Sequence, residues 1–269
     1  MKSFESLEQV RQRIEEIIQL HGQSFEEIKI ESFQILGARE DQQDTIAHIV
    51  EKNEVLAVLG DGIGGMEKGD MASAIGVCSV LSAYSPNSDI HMLLEGFQDA
   101  DDEICHMVET NHLKGSGSTL VAVYIKDRKL YMCSVGDSYV YLFRNRVLKR
   151  LNVSLNYEYF LHRLLDENKI TEEDYKLNEH KKNMLISFLG KGDLSIIDFF
   201  KEPLELEKHD LIFLCSDGVI DAVSEKKLEQ VLAENKNPST IRETLKNMIL
   251  LENKANQDNA SAIVICMNG

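Results

Sequence analysis

Residues 55–70 read VLAVLGDGIGGMEKGD, and one carboxylate, Asp61, stands among Gly60, Gly62 and Gly65 directly after an apolar run. The spacing G-x-G-x-x-G is that of a dinucleotide-binding loop. Such a loop needs a parallel βαβ unit and an acidic residue about twenty positions on, at the end of the second strand. Asp89 opens a helix instead, the strands that follow read as antiparallel, and Asp61 would face a pyrophosphate of its own sign. With a dinucleotide set aside, the stretch is either ordinary Gly-rich turn chemistry or a scaffold for the carboxylate.

Two further carboxylates favour the second reading. Asp217 follows LIFLCS and precedes Gly218, and Asp258 precedes NASAIVICM, so three acids sit at the tips of three strongly apolar strands. If these strands lie side by side in core sheets, their ends bring the acids together. Each carboxylate then raises the pKa of its neighbours, and hard divalent cations relieve the repulsion. Oxygen donors without histidine or cysteine suit Mg²⁺ or Mn²⁺ better than Zn²⁺, and a glycine after Asp61 leaves the Gly62 carbonyl accessible as another ligand. Arg39, in GAREDQQD, adds a guanidinium able to hold two phosphate oxygens.

The elements that must position these groups follow from periodicity. Phe4, Leu7, Val10, Ile14, Ile17 and Ile18 recur at helical spacing, with Ser6 and Gln9 as a capping box and Gly22 as a stop. IKIESFQILGAREDQQDTIAHIV reads as two strands around a polar loop, and EVLAVLG as a buried strand. MASAIGVCSVLSAY is apolar nearly all round, as a buried helix is, and Ile90 to Val108 mark a second long helix. STLVAVYI, LYMCSVG and YVYLFRN are expected as an antiparallel meander, because KDRK and GDS are too short for a crossover helix. From 151 to 190 the chain turns charged and helical, with Thr171 and Asp174 at a helix start, and reads as an insertion. LIFLC is a strand, 224–233 and 239–251 are helices, and NASAIVICM is the closing strand.

Composition narrows the classes. The chain has 269 residues, 43% of them hydrophobic, and three prolines, which suits a single compact domain. A net charge of −16 repels nucleic acid and anionic membrane surfaces. Five cysteines without a C-x-x-C pattern suit a reducing compartment. The charged N-terminus is unlike a signal peptide, and no stretch approaches the ~20 apolar residues of a membrane span, so a cytoplasmic location is expected.

The ordered motifs GAREDQQD, GDGIGGMEKGDMAS, GSGSTLVAVYI, LYMCSVGDSYVYLF, LIFLCSDGVIDAVS and QDNASAIVI resemble those of the metal-dependent protein serine/threonine phosphatases, the PPM or type 2C family, in its bacterial form. The resemblance runs from about Phe33 to Cys266. It implies an α+β fold, a four-layer α-β-β-α sandwich of two antiparallel sheets flanked by helices. It also implies one phosphatase domain over 1–269, with a helical extension at 1–24 and a flap-like insertion at 151–190. The activity implied is hydrolysis of phosphoserine and phosphothreonine on proteins, by a bridging water activated at a centre of two Mg²⁺ or Mn²⁺ ions. Phosphoproteins, and a paired serine/threonine kinase, are the implied partners.

Carried over by position, Asp61 bridges both ions, Asp217 and Asp258 hold one of them, and the Gly62 carbonyl holds the other. Gln43 and Asp44 order bound water, and Arg39 binds phosphate. Asp221 matches a ligand for a third ion, but Lys114 stands where its acidic partner is usual. Gln43 replaces a frequent glutamate. Met66 and Ile63 occupy positions where relatives carry histidine, so no general acid is assigned. Gly115, Gly117, Ser118, Thr119, Gly136, Asp137 and Ser138 are expected to maintain the fold.

Rival chemistries lack their motifs: Asp221 stands six residues beyond Cys215 where a cysteine phosphatase needs arginine, and Gly192 follows Gly190 and Lys191 where a P-loop needs serine or threonine. G-x-S-x-G and H-E-x-x-H are also missing. The remaining alternative is a catalytically silent member that binds phosphoproteins or regulates a partner.

Overall fold

The computed structural model describes all residues except 1–3, 5, 22–27, 64–67, 87, 114, 253, 268 and 269. Gly22, Gly65, Met66 and Lys114, singled out above, lie outside the described residues. The order opens with helix α1 (Leu7–His21), strands β1 (Ile28–Ile35), β2 (Asp44–Glu51) and β3 (Glu54–Ile63), then helices α2 (Gly69–Ala83) and α3 (His91–Asn111). Strands β4 (Gly117–Ser118), β5 (Leu120–Lys126), β6 (Lys129–Val135), β7 (Tyr139–Arg144) and β8 (Val147–Arg150) follow. Helices α4 (Tyr157–Asp166) and α5 (Glu172–Asn178) lead through a 3₁₀ turn at Glu179–Lys181 to short strands β9 (Asp198–Phe199) and β10 (Leu204–Glu205). Strand β11 (Leu211–Cys215), helices α6 (Asp217–Ala222), α7 (Glu225–Glu234) and α8 (Pro238–Glu252), and strand β12 (Ala260–Met267) complete the chain.

Among the described residues the strands form two antiparallel sheets, one ordered β1-β12-β11-β7-β8 and the other β10-β6-β5-β3-β2, with β4 on β3 and β9 on β6. Inward-facing Val55, Ala57, Leu59, Val121, Val123, Ile212, Leu214, Ile263 and Ile265 pack the two sheets together. The outer face of the β3 sheet is covered by α1, α2 and α3, and that of the β12 sheet by α6, α7 and α8. This is the expected α-β-β-α layering. The sheets are apolar on both faces because helices cover them outside, which is why β3 and β12 read as near-continuous hydrophobic runs rather than alternating ones.

Two expectations are corrected. KDRK does form a hairpin, but GDS is not a turn within one sheet: β6 pairs with β5 while β7 pairs with β11, so the chain changes sheets at Gly136 to Ser138. A three-residue connection limits the distance between strand ends but does not choose the sheet, and apolar residues on both strands satisfy either layer. Gly60 and Gly62 also do not turn the chain. Strand β3 continues to Ile63, with Asp61 paired opposite Asp44. Gly62 is demanded by close packing instead, since a Cβ there would lie 2.2 Å from the Gly69 carbonyl oxygen.

Helix α1 buries Val10, Ile14 and Ile17 against α2 and β2, and Ser6 Oγ accepts from the Gln9 backbone N–H at 3.3 Å. The 151–190 segment carries α4, α5 and the 3₁₀ turn, and Thr171 and Asp174 make the expected capping box. Its return is held to the body: Leu189 is buried and exchanges backbone hydrogen bonds with Ser118, and the Gly190 N–H donates to Asp101 Oδ1 of α3 at 2.7 Å. All five cysteines are free thiols. No helix among the described residues is long and apolar enough to cross a membrane.

Candidate metal and phosphate site

The three strand-tip carboxylates lie at one end of the sandwich, though on two sheets rather than one. Strands β11 and β12 are antiparallel neighbours with Cys215 opposite Ala262, so the end of β11 and the start of β12 put Asp217 and Asp258 at the same edge. Gly218 shows how close the two segments come: a Cβ there would lie 2.0 Å from the Asn259 carbonyl oxygen. Strand β3 of the facing sheet brings Asp61, and β2 brings Asp44 beside it. Strand β1, paired to β12 up to Ile35 opposite Ala260, delivers the loop carrying Arg39 to the same edge.

Asp61 is fixed through its backbone. Its N–H donates to Thr119 Oγ1 at 3.1 Å, and its carbonyl accepts from the Thr119 N–H at 2.9 Å and from Ser118 Oγ at 3.0 Å. The next peptide is fixed too, because the Gly62 N–H donates to the Gln43 carbonyl at 3.1 Å. Ser118 and Thr119, expected only to maintain the fold, are thus the supports of the central carboxylate. Asp217 occupies the first turn of α6, a helix the sequence reading did not anticipate; six residues are too few to show helical periodicity.

The electrostatics are those of crowded like charges. Burial first, then the charges of Asp44, Asp217, Asp137 and Asp258, push the Asp61 carboxyl well above the ordinary carboxylate range. Asp217 is pushed up to about 7 by burial and by Asp137, Asp258, Asp221 and Asp44. A helix N-terminus favours the ionised form, yet here it is outweighed. Asp44 is pushed up to about 6, chiefly by burial, with Ser261 and Ser216 opposing the rise. Asp137 is a site neighbour as well as a corner residue, since its charge acts on both Asp61 and Asp217. Asp221 lies near enough to raise Asp217 and Asp137.

Asp44 has 2% of its surface exposed. Ser216 Oγ donates to its Oδ2 at 2.9 Å, while Oδ1 has no hydrogen-bond partner among the described residues. Ser261 Oγ lies close enough to favour the ionised form without meeting hydrogen-bond geometry. A buried acceptor without a donor, beside carboxylates that repel one another, fits a site for hard cations and their water. The side chains do not yet form a cage: among the described residues no three acidic, histidine or cysteine side chains are grouped to hold one ion. Both Asp258 oxygens are engaged, Oδ1 by the Asn259 N–H at 2.8 Å and Oδ2 by Arg39 Nη2 at 2.7 Å. Arg39 is half exposed, with its guanidinium beside the acids, as a phosphate clamp requires.

Asn259 was missed by sequence reasoning. Its side chain accepts from the Gln43 N–H at 2.8 Å and donates to the Leu36 carbonyl at 2.8 Å. The available signal was a polar amide between a candidate ligand and a strand that is otherwise apolar.

Comparison with known proteins bears on the family and the fold. The family model for protein phosphatase 2C matches residues 37–249. The serine/threonine phosphatase Stp of Listeria monocytogenes serovar 1/2a is 29% identical over 222 residues, covering 79% of this chain and 84% of the relative. The crystal structure of the Mycobacterium tuberculosis serine/threonine phosphatase PstP/Ppp superposes with a TM-score of 0.73 at 23% identity, over 90% of this chain and 99% of that one. The catalytic domain of PstP in complex with two manganese ions superposes with a TM-score of 0.70 at 23% identity, over the same 90% and 99%. These structural likenesses bear on the fold, and the family match bears on identity. The chain belongs to the protein phosphatase 2C family of serine/threonine phosphatases.

Proposed function

We propose that the chain is one phosphatase domain that hydrolyses phosphoserine and phosphothreonine on proteins, using a centre that holds two Mg²⁺ or Mn²⁺ ions. The observation that supports this reading best is the meeting of Asp61, Asp217 and Asp258 with Arg39 at one end of the two sheets, where burial and neighbouring carboxylates push up the Asp61 and Asp217 carboxyls. In this reading Asp61 serves both ions, Asp217 and Asp258 serve one, and the Gly62 carbonyl serves the other. Divalent ions bound there supply an acidified water as nucleophile and neutralise charge on the phosphoryl oxygens.

The protein's own groups supply position. Arg39 offers paired N–H donors to two phosphoryl oxygens, which holds phosphorus in one orientation and needs no proton transfer. Asp44, with one oxygen fixed by Ser216 and the other without a partner among the described residues, is suited to accept from a water and orient it, with Gln43 beside it. Asp221 is a candidate for a third ion. The 151–190 segment is proposed as the flap that meets substrate. A phosphoprotein substrate, a paired serine/threonine kinase and a cytoplasmic location complete the reading. A silent binding protein has no chemical need for this donor set and arginine together. The test is bound metal and phosphatase rate measured together, before and after chelation. Activity that is lost with the metal and restored by Mn²⁺ supports the reading; activity indifferent to chelation contradicts it.

A further inference from the structure

We infer that Asn259 is a positioning residue, holding the Arg39 loop and the Gln43–Asp44 pair in fixed register with Asp258. The inference rests on the roles proposed above for Arg39 and Asp258. Asn259 has 4% of its surface exposed, and its one amide spans the loop: Nδ2 donates to the Leu36 carbonyl where the chain leaves β1, and Oδ1 accepts from the Gln43 N–H where it enters β2. Only a group that donates on one side and accepts on the other satisfies both backbone partners, so asparagine suits the place and aspartate does not.

The residues just before it act on the same loop. The Gln257 carbonyl accepts from the Ala38 N–H at 2.8 Å, and Gly37, at φ +67°, passes so close that a Cβ would lie 2.3 Å from the Asp258 carbonyl oxygen. At its far end the loop is tied onward, since the Gln43 carbonyl accepts from the Gly62 N–H and from Ser73 Oγ at 2.6 Å. The entry to β12 therefore grips the loop at both ends and near its middle. Arg39 is half exposed, so packing cannot hold its guanidinium at a set distance from the acids. Its ion pair with Asp258 holds only the tip, so the loop backbone sets the base from which Arg39 reaches the acids, and the buried Asn259 side chain ties that backbone to the entry of β12 next to Asp258.

The test uses the Mn²⁺-loaded full chain, a phosphothreonine peptide and inorganic phosphate as probes, with wild type, Asn259→Ala, Arg39→Ala and the double variant. Asn259→Ala is expected to lower kcat/KM by roughly tenfold or more and to weaken phosphate binding, measured calorimetrically, in parallel, while Mn²⁺ affinity shifts less than about threefold. In the Arg39→Ala background the same change is expected to cost several-fold less than in the wild type, because one of the two positioned groups is gone and only the Gln43–Asp44 share remains. Losses that multiply independently, or that follow Mn²⁺ affinity, would overturn the inference. Asn259→Ser, which loses less volume, is expected to show the same pattern more weakly. If neither variant melts cooperatively, Asn259 is structural and the inference fails. An inactive wild type would instead overturn the phosphatase reading and this inference with it.

Discussion

Arg39 Nη2 donates to Asp258 Oδ2 at 2.7 Å, joining two residues 219 positions apart in the chain. The pair sets the candidate phosphate clamp directly on a candidate cation ligand. An oxygen held by a guanidinium and approached by a divalent cation is contested, so the two functions are coupled through one atom.

Arg39→Ala is therefore expected to separate them. Removing the competing cation should leave Mn²⁺ affinity unchanged or tighten it a few-fold, while kcat/KM for a phosphopeptide falls by about 10- to 100-fold. That loss corresponds to roughly 1.5–3 kcal/mol, the worth of charge-assisted hydrogen bonds. Calorimetric Mn²⁺ titration beside steady-state kinetics checks it. Weaker metal binding in the variant would show that Arg39 supports the centre rather than competing with it.

The crowded carboxylates predict an inverted pH dependence once metal is stripped. Asp217 and Asp44 titrate at about 7 and about 6 in the folded chain, against about 3.9 for an ordinary aspartate. A raised folded pKa means the native state holds more protons, so stability is fullest below the unfolded value and is lost as pH rises toward 7. Chelated protein should melt lower at pH 8 than at pH 5.5, by on the order of 5 °C. Asp217→Asn should shrink that gap, and added Mn²⁺ should reverse its sign, because cations bind the ionised ligands. A gap untouched by Asp217→Asn would place its origin elsewhere.

Gly62→Ala tests the packing that lets β3 carry Asp61 into the site. The added Cβ would meet the Gly69 carbonyl at 2.2 Å and that of Gln43 at 2.8 Å, both backbone atoms that cannot step aside cheaply. We expect loss of activity with a melting temperature lowered by several degrees, an overpacking cost of about 1–3 kcal/mol. Gly115→Ala, where nothing lies within 4 Å but φ is +87°, should cost only about 1 kcal/mol or so of backbone strain. Equal effects of the two on activity would argue against the packing account.

The return of the 151–190 segment supplies another test. Asp101 is 2% exposed and accepts the Gly190 N–H, pinning the returning chain to α3 next to Leu189 and Ser118. Asp101→Ala leaves that N–H unpaired, at a cost of about 1–3 kcal/mol, and should speed proteolytic cutting within 151–190. Unchanged cutting rates would mean that the Leu189–Ser118 pairing is sufficient alone.

What was legible in the chain were the groups whose chemistry is their own. Asp61, Asp217 and Asp258 stand out because a carboxylate at the end of an apolar strand is costly without a purpose, and Thr171 with Asp174 because a capping box is local. Layer order came from the resemblance of the ordered motifs to a known family, since apolar strands say only that both of their faces are covered. Asn259, Ser216 and Thr119 were not legible as site residues, because each acts through a partner far away in sequence: Gln43 is 216 residues from Asn259, and Asp44 is 172 from Ser216. The change of sheet at Gly136 to Ser138 was hidden for a related reason, since a turn's length constrains distance and not the layer the next strand joins. Strand β3 ran past Gly62 because close contact with Gly69 and Gln43, not turn propensity, decides its backbone.

The most direct test of the account compares wild type with Asp217→Asn on a phosphothreonine peptide, across a Mn²⁺ titration with bound metal quantified in both proteins. The account predicts Mn²⁺-dependent release of phosphate by the wild type and a loss of about 100-fold or more in the variant, with metal binding weakened. Wild-type protein that carries metal yet releases phosphate no faster than the variant would contradict it.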